Sequence, residues 1–181
     1  MLQPEFQIPP LFSYFAVFLW ALSGAIVGMH KRYDLAGVFV IALLASTGGS
    51  TLRDGLFLQQ KPPVLTDGWY IIMTMLATIA VGFFRERIAR MTLVDRVINV
   101  IDALGVPAFA VIGMQLSLDA AVPLPGVVLI GMINGFGGGI LRDLLVGDTP
   151  VALKPGTFYV SAAFLVCVLF VVLVAVLGVN N

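Results

Sequence analysis

The sequence predicts an all-α integral membrane protein built from two inverted three-helix repeats. Of its 181 residues, 60% are hydrophobic and 11% are charged, and the mean hydropathy is +1.04. A soluble domain carries roughly 25% charged residues, so this chain holds too little charge for a water-exposed surface. Apolar runs of about 20 residues, long enough to cross a hydrocarbon core of ~30 Å, recur along the chain. Nearly the same seven letters occur twice, as GGSTLRD at positions 48–54 and as GGGILRD at positions 137–143.

Six segments have the hydropathy expected of membrane-spanning helices, although the third is short. Proline-rich stretches separate several of them, because proline cannot continue a helix. The most polar linker, residues 85–96, divides a single transmembrane domain of residues 1–181 into a first repeat of about residues 11–84 and a second of about residues 97–179. The predicted spans are Leu11–Met29, Leu35–Leu58, Trp69–Phe84, Val97–Leu116, Leu124–Val146 and Phe158–Val179.

The two halves align without a gap when the sequence is shifted by 89 residues. This shift superposes the two motifs, and it also places Gly24 on Gly113 and Tyr70 on Tyr159. Because each half holds three spans, an odd number, the second half is predicted to insert upside down relative to the first. Inverted repeats are typical of transporter-like folds, whose sites lie near the membrane midplane on interrupted helices.

The lysines and arginines predict the orientation of the chain in the membrane. The face that carries the N-terminus holds only Arg53 and Lys61, and the opposite face holds eight of the ten basic residues. The positive-inside rule places the basic face in the cytoplasm, so the N-terminus is predicted to be non-cytoplasmic. The formal net charge of +0 provides no overall field that would recruit nucleic acid.

Both glycine runs lie past the middle of their spans, where each glycine costs about 1 kcal/mol relative to alanine. A kink at each run is predicted to free backbone carbonyls, which can ligate an alkali cation in a pathway between the repeats. The alternative is close helix packing, which is the use predicted for the pairs Gly24/Gly28 and Gly131/Gly135. With the neighbouring hydroxyl and amide groups, the predicted pathway residues are Ser46, Thr47, Gly48, Gly49, Ser50, Asn134, Gly137, Gly138 and Gly139.

The pairs Arg53/Asp54 and Arg142/Asp143 admit two interpretations. Charged side chains are expensive within a membrane, which indicates a charged vestibule or gate. The alternative is snorkelling, in which the charged ends reach the lipid headgroups. Since adjacent residues of a helix do not face each other, the arginine and the aspartate of each pair are predicted to reach different partners.

The remaining polar residues predict no catalytic or metal site. The single histidine, His30, stands beside basic residues at a span end, and no cluster of His, Cys and carboxylate has ligand spacing. Asp34 is predicted to cap the second helix. Asp95 and Asp102 are predicted to lie near the start of the fourth helix, where the helix dipole stabilises carboxylates. Because the sequence shows no nucleophile–base pair and no phosphate-binding loop, we expect neither an enzyme nor a cofactor.

The paired motifs, each late in the second helix of a three-helix repeat, resemble those of the TRIC family of trimeric intracellular cation channels, above all its prokaryotic branch. The resemblance covers essentially the whole chain. It implies a homotrimer in the lipid bilayer of a prokaryotic inner membrane, with one potassium-conducting pore per subunit between kinked second and fifth helices. The family has a seventh span, which is expected to be missing from a sequence that stops at Asn181. The matching positions are Gly48, Gly49, Gly137, Gly138 and Gly139, with the adjacent Arg53, Asp54, Arg142 and Asp143.

A second hypothesis belongs to a different functional class. Some bacterial relatives with the same repeats are regarded as glycine carriers, and a broken helix can bind both ends of an amino acid. Its carbonyls suit an ammonium group, and the N-terminus of a half-helix suits a carboxylate. The channel hypothesis is favoured over the carrier. A purely structural scaffold would explain the apolar composition but not the doubled motif.

Overall fold

A computed structural model describes residues 10–90, 92–154 and 159–177 of the protein. Within these ranges the chain forms six long helices. We number only these six. Short elements complete the described ranges: a π-helix at Arg53–Leu58, single turns at Pro63–Thr66 and Arg85–Ala89, and a 3-10 turn at Val151–Leu153. The long helices are α1 Pro10–His30, α2 Leu35–Leu52, α3 Trp69–Phe83, α4 Val94–Asp119, α5 Leu124–Leu145 and α6 Tyr159–Leu177.

The predicted spans agree closely with these helices. The second span is reproduced as α2 together with the π-helix, which form one segment, Leu35–Leu58. The fourth helix is longer at both ends than its predicted span. Both ends of the sixth prediction, Phe158 and Val179, lie outside the described residues. Four described helices are long and apolar enough to cross a membrane, and α3 and α6 are shorter apolar helices.

Local sequence explains where helices begin and end. The Asp34 carboxylate accepts a hydrogen bond from the backbone N–H of Gly37 at 2.8 Å, so the predicted cap of α2 is confirmed. The corresponding helix of the second half, α5, ends before Gly147. The φ of Gly147 is +76°, a backbone conformation that glycine adopts more readily than other residues.

The helices run without interruption through both glycine runs, so a break that frees backbone carbonyls there is wrong, and a bend of the helix axis at the runs stays a prediction. Gly48 and Gly49 lie within α2, and Gly137–Gly139 lie within α5. In a membrane a broken helix would leave backbone groups without partners, whereas an uninterrupted helix satisfies them internally. The irregular backbone lies one turn further along the first repeat, in the π-helix Arg53–Leu58, which ends where Gln59 adopts a φ of +51°.

The same pairs of helices are in contact within each half. In the first half α1 packs on α2 and α3, and α2 packs on α3; the corresponding contacts in the second half join α4, α5 and α6. Across the halves, α2 packs on α5 and α1 packs on α4. The two halves therefore meet through their first two helices, and the glycine-rich helices α2 and α5 form the centre.

The pairs Gly24/Gly28 and Gly131/Gly135 allow this packing, as predicted. A Cβ on Gly24 would lie 2.7 Å from the Cα of Ala42, and one on Gly135 would lie 2.9 Å from the carbonyl oxygen of Val106. Both contacts are made within one subunit, between α1 and α2 and between α4 and α5. These glycines are consequently not available as surfaces for contacts between subunits.

Large apolar side chains cover much of the outer surface. Phe83 is 83% exposed, Leu104 is 67% exposed and Leu165 is 65% exposed. An apolar surface of this extent is suited to lipid and not to water. The protein is an integral membrane protein.

Candidate functional site

Helices α2 and α5 come together at the two glycine runs. A Cβ on Gly137 would lie 3.2 Å from the Cα of Gly49, and one on Gly48 would lie 3.6 Å from the Cα of Gly138. At such distances backbone packs directly against backbone. Glycine is needed at this crossing because the facing helix leaves no room for a side chain.

The crossing repeats the symmetry of the sequence. A Cβ on Gly49 would overlap the carbonyl oxygen of Asn134, and a Cβ on Gly138 would overlap the carbonyl oxygen of Ala45. The shift of 89 residues relates Gly49 to Gly138 and Ala45 to Asn134. The backbone contact is therefore two-fold symmetric, although an alanine stands on one side and an asparagine on the other.

The predicted hydroxyl ligands are bonded within their own helix, and Ser46 Oγ also lies 3.4 Å from Thr74 Oγ1 of α3. Ser46 Oγ donates to the carbonyl oxygen of Leu43 at 3.2 Å, Thr47 Oγ1 donates to the same oxygen at 2.7 Å, and Ser50 Oγ donates to the carbonyl oxygen of Thr47 at 2.9 Å. A hydroxyl that donates its hydrogen keeps two lone pairs as acceptors. These oxygens can still face a cation or a water molecule.

A small cavity of about 10 Å³ lies at the crossing. It has about the space that one water molecule needs. Of the predicted pathway residues, Thr47, Gly48, Gly137 and Gly139 do not line it. Its walls are formed by Trp20, Ala45, Ser46, Gly49, Ser50, Phe109, Asn134, Gly135 and Gly138. None of these side chains carries a charge, so the cavity at the α2–α5 contact is lined by neutral polar and apolar groups.

Arg53 and Asp54 form a buried ion pair at the junction of α2 and the π-helix. The guanidinium donates to both carboxylate oxygens, from Nε at 2.7 Å and from Nη2 at 2.6 Å. Its third nitrogen donates across the crossing to the Oδ1 of Asn134 at 3.1 Å, and Gln60 donates to Asp54 at 2.9 Å. Asn134 in turn donates to the carbonyl oxygen of Phe109 on α4. This group of residues ties α2 to α5 and α4.

Arg142 is the centre of a second buried group, near the end of α5. Its Nε donates to Asp143 at 2.8 Å, and its two terminal nitrogens donate to Asp102 of α4 at 3.1 and 3.2 Å. A further bond reaches Ser23 of α1, and Asp143 accepts from the backbone N–H of Val151 at 2.9 Å. This arginine thus ties α5 to α1 and α4, whereas Arg53 ties α2 to α5.

The snorkelling alternative and the prediction of separate partners are both wrong for these pairs. The side chains do not snorkel, since Arg53 is 2% exposed and Arg142 is 1% exposed. Nor do the arginine and the aspartate of each pair reach only different partners: both arginines bond the aspartate that follows them. The neighbour rule describes where Cβ atoms point, but a long guanidinium side chain can fold back. In a low-dielectric interior its charge needs the nearest available carboxylate.

Asp102 does not have the predicted helix-dipole role. It is the ninth residue of α4, too far from the helix start for a dipole role, and it is 1% exposed and paired with Arg142. A carboxylate more than two turns inside an apolar span is a signal that could have identified it, because such a group must find a basic partner. Asp95 does lie in the first turn of α4, as predicted.

A second cavity, of about 60 Å³, lies beside Arg142 and Asp143 at the end of α5. Lys31 and Asp148 also line it and form an ion pair of 2.6 Å between the turn after α1 and the segment after α5. His30 lines the same cavity, and its Nδ1 lies 3.5 Å from the carbonyl oxygen of Ile88. Within the described residues, no group of His, Cys, Asp and Glu is arranged to hold a metal ion.

Comparison with known proteins shows the family to which this chain belongs. A family model described as "Glycine transporter" matches the chain twice, over residues 10–86 and over residues 99–175. The second match begins 89 residues after the first, which is the shift that superposes the two glycine runs. The chain belongs to this glycine transporter family.

Relatives and solved structures extend the comparison. A UPF0126 membrane protein of Deinococcus radiodurans is 36% identical over 148 residues, which cover 81% of this chain and 67% of that protein. The TRIC trimeric intracellular cation channel orthologue from Rhodobacter sphaeroides has a TM-score of 0.84 at 28% identity, covering 92% of this chain and 84% of that one. A structure described as the basis for conductance through TRIC cation channels has a TM-score of 0.73 at 26% identity, covering 95% of both chains.

The resemblance to prokaryotic TRIC channels, predicted from the paired motifs, is confirmed. This glycine transporter family member is a TRIC-like integral membrane protein. The double match of the family model also supports the sequence repeat, since each half of the chain fits the same pattern.

Proposed function

We propose that this chain is a monovalent cation channel in which the pathway of each subunit passes between α2 and α5. The observation that carries the proposal is the uncharged, hydroxyl-bearing cavity at the crossing of these two helices. Lone pairs of Ser46 and Ser50 can replace part of an ion's hydration shell without holding the ion tightly, as conduction requires. The two solved structures reported above, which share this fold, are described as cation channels.

Neutral oxygens at the crossing favour a monovalent ion, and we propose potassium. Divalent cations take carboxylate ligands, and Mg²⁺ sheds its water reluctantly. The carboxylates that follow the two glycine runs, Asp54 and Asp143, are instead bonded to Arg53 and Arg142. Each guanidinium is thus compensated by a carboxylate and does not repel a passing cation as a free charge would. We propose that these two groups of charged residues form the vestibule or gate of the pathway.

The described conformation corresponds to a shut pathway. A cavity of about 10 Å³ admits roughly one water molecule, and the backbones of α2 and α5 are in contact beside it. Conduction requires these helices to separate. The bond from Arg53 to Asn134 crosses the same contact, so it must lengthen or exchange partners when the pathway opens.

The orientation and assembly belong to the same proposal. Arg53 and Arg142 are buried, so they are not counted among the basic residues near the membrane surfaces. Of the remaining lysines and arginines, seven lie on one face, and Lys61 lies on the other. This asymmetry supports a non-cytoplasmic N-terminus, with six spans arranged as inverted repeats in a prokaryotic inner membrane. The trimeric assembly of the Rhodobacter sphaeroides protein supports a homotrimer.

A glycine carrier is the second candidate, and the description of the family model favours it. The geometry of the crossing opposes it, because a zwitterion with an ammonium and a carboxylate group is several times larger than the one water molecule for which the cavity has space. The cavity beside Arg142 is larger, about 60 Å³, and has charged groups of both signs. A carrier would therefore bind glycine at this end of the bundle and not at the glycine crossing.

Purified protein in liposomes distinguishes the two functions. We expect potassium flux that is fast and follows an imposed voltage, with single-channel currents in a planar bilayer. Radiolabelled glycine should not accumulate beyond the level of protein-free vesicles. Saturable glycine uptake that exchanges with internal glycine, without single-channel currents, would contradict the channel proposal and establish the carrier.

A further inference from the structure

The indole ring of Trp20 fills the space between α1, α4 and α5. A Cβ on Gly105 would overlap its Nε1, and a Cβ on Gly139 would lie 3.2 Å from its Cζ3. The ring also packs edge-to-face against Phe109, with centroids 6.0 Å apart and an interplanar angle of 82°. Trp20 is only 2% exposed, so its ring is enclosed by neighbours on α4 and α5 and does not reach solvent.

The N–H group of this indole has no partner in the protein. Among the buried side-chain nitrogen and oxygen atoms of the described residues, Trp20 Nε1 is the one without a hydrogen bond. A buried donor without a partner loses its hydration and gains nothing in return, so such groups are rare and usually have a bound water or ion as their explanation. Because an N–H group presents positive charge, its partner must be an acceptor and not a cation.

The cavity at the glycine crossing offers what the donor lacks. Trp20 lines it together with Ser46 and Ser50, whose hydroxyl hydrogens are directed to carbonyl oxygens of α2. The walls of the cavity therefore include the residue that carries the unused donor and two hydroxyl oxygens that can accept hydrogen bonds, around about 10 Å³ of space. A water molecule needs two to four polar partners and about this volume.

We propose that the cavity is a binding site for a single water molecule, which accepts a hydrogen bond from Trp20 Nε1 and donates to Ser46 and Ser50. The next step rests on the proposed channel function. In the channel, this water hydrates the uncharged crossing of α2 and α5. A cation that arrives there exchanges part of its hydration shell for a water already in place. Trp20 thereby becomes a positioning residue of the pathway, acting through this water.

Tryptophan fluorescence tests the water site without any reference to transport. The chain has two tryptophans, so Trp69→Phe leaves Trp20 as the single emitter. In that background, replacing Ser46 and Ser50 by alanine should shift the emission to shorter wavelength, because the indole loses its water. Thr47→Ala is the matched control, since this hydroxyl also bonds Leu43 but does not line the cavity. An unchanged emission after the double serine change, or an equal shift with Thr47→Ala, overturns the water site.

Single-channel recording tests the role in conduction. Trp20→Phe removes the donor, and we expect the conductance to fall roughly fivefold, the factor that corresponds to one modest interaction. Phe109→Leu removes aromatic volume from the same cavity but keeps the donor, so its conductance should stay above that of Trp20→Phe. If the ring acted only as a plug, both variants would conduct better than the wild type, and that result overturns the proposed role. A wild type without currents refutes the channel function alone, because the emission experiment still decides the water site.

Discussion

Gly138→Ala measures how closely the two glycine helices approach. The change adds one methyl group, whose carbon would overlap the carbonyl oxygen of Ala45 on the facing helix. That oxygen belongs to an uninterrupted helix and cannot turn aside. A carbon and a carbonyl oxygen normally stay about 3.3–3.6 Å apart, so the helices must separate locally by on the order of 1 Å.

Two opposing terms set the magnitude. Overpacking a well-packed contact costs about 1–3 kcal/mol. Alanine in place of glycine within a helix stabilises the folded protein by about 1 kcal/mol. Gly82→Ala on α3 is the matched control, because its new methyl would meet only Leu35 Cδ1 at 3.7 Å, an ordinary contact. The control gains the helix term alone, so the two variants should differ in free energy of unfolding by about 1–3 kcal/mol.

Reversible unfolding in mixed detergent micelles, followed by circular dichroism, provides the measurement. Gly49→Ala should behave like Gly138→Ala, because its methyl would overlap the carbonyl oxygen of Asn134 in the symmetric contact. If Gly138→Ala and Gly49→Ala are as stable as Gly82→Ala, the close approach of α2 and α5 is wrong. The explanation of the doubled glycine run as a packing device then fails with it.

Three further predictions concern charge, topology and assembly. Asp102→Asn leaves Arg142 with one carboxylate and should lower the free energy of unfolding by about 1.5–3 kcal/mol, the range for hydrogen bonds to charged groups. Asp95→Asn is the control and should change the free energy of unfolding little. Equal effects of the two variants would argue against the buried pair. In a Cys167→Ala background, cysteines placed at Lys61 and at Thr92 should react with impermeant reagents from opposite sides of the membrane, and labelling from one side would refute the inverted repeats. Cross-linking in mild detergent should stop at three subunits, and a ladder that ends at two would contradict the trimer.

The distribution of apolar residues was sufficient to predict the helices. Each described long helix overlaps a predicted span, because about 20 residues of uniform hydropathy have few structural alternatives in a lipid environment. The shift of 89 residues, visible in the sequence, also recurs in the double match of the family model. Asp34 could be assigned as a cap because capping depends on residues three positions apart.

The meaning of the glycine runs depended on the fold. A glycine pair in a helix is compatible with a kink and with close packing, and the local sequence is the same in both cases. Only the position of the facing helix decides between them. Here the carbonyl of Ala45 stands where a side chain of residue 138 would be, so the glycines provide the close contact between α2 and α5.

The sequence by itself determined that this protein resides in a membrane, that it consists of two related halves, and that each half carries one glycine run and one arginine–aspartate pair. Only the tertiary structure decided what those residues touch. Asp102 and Arg142 are 40 positions apart, and Arg53 and Asn134 are 81 positions apart. The physical reason is that a buried charge takes its partner from whichever helix the packing brings within reach, and hydropathy carries no information about that choice.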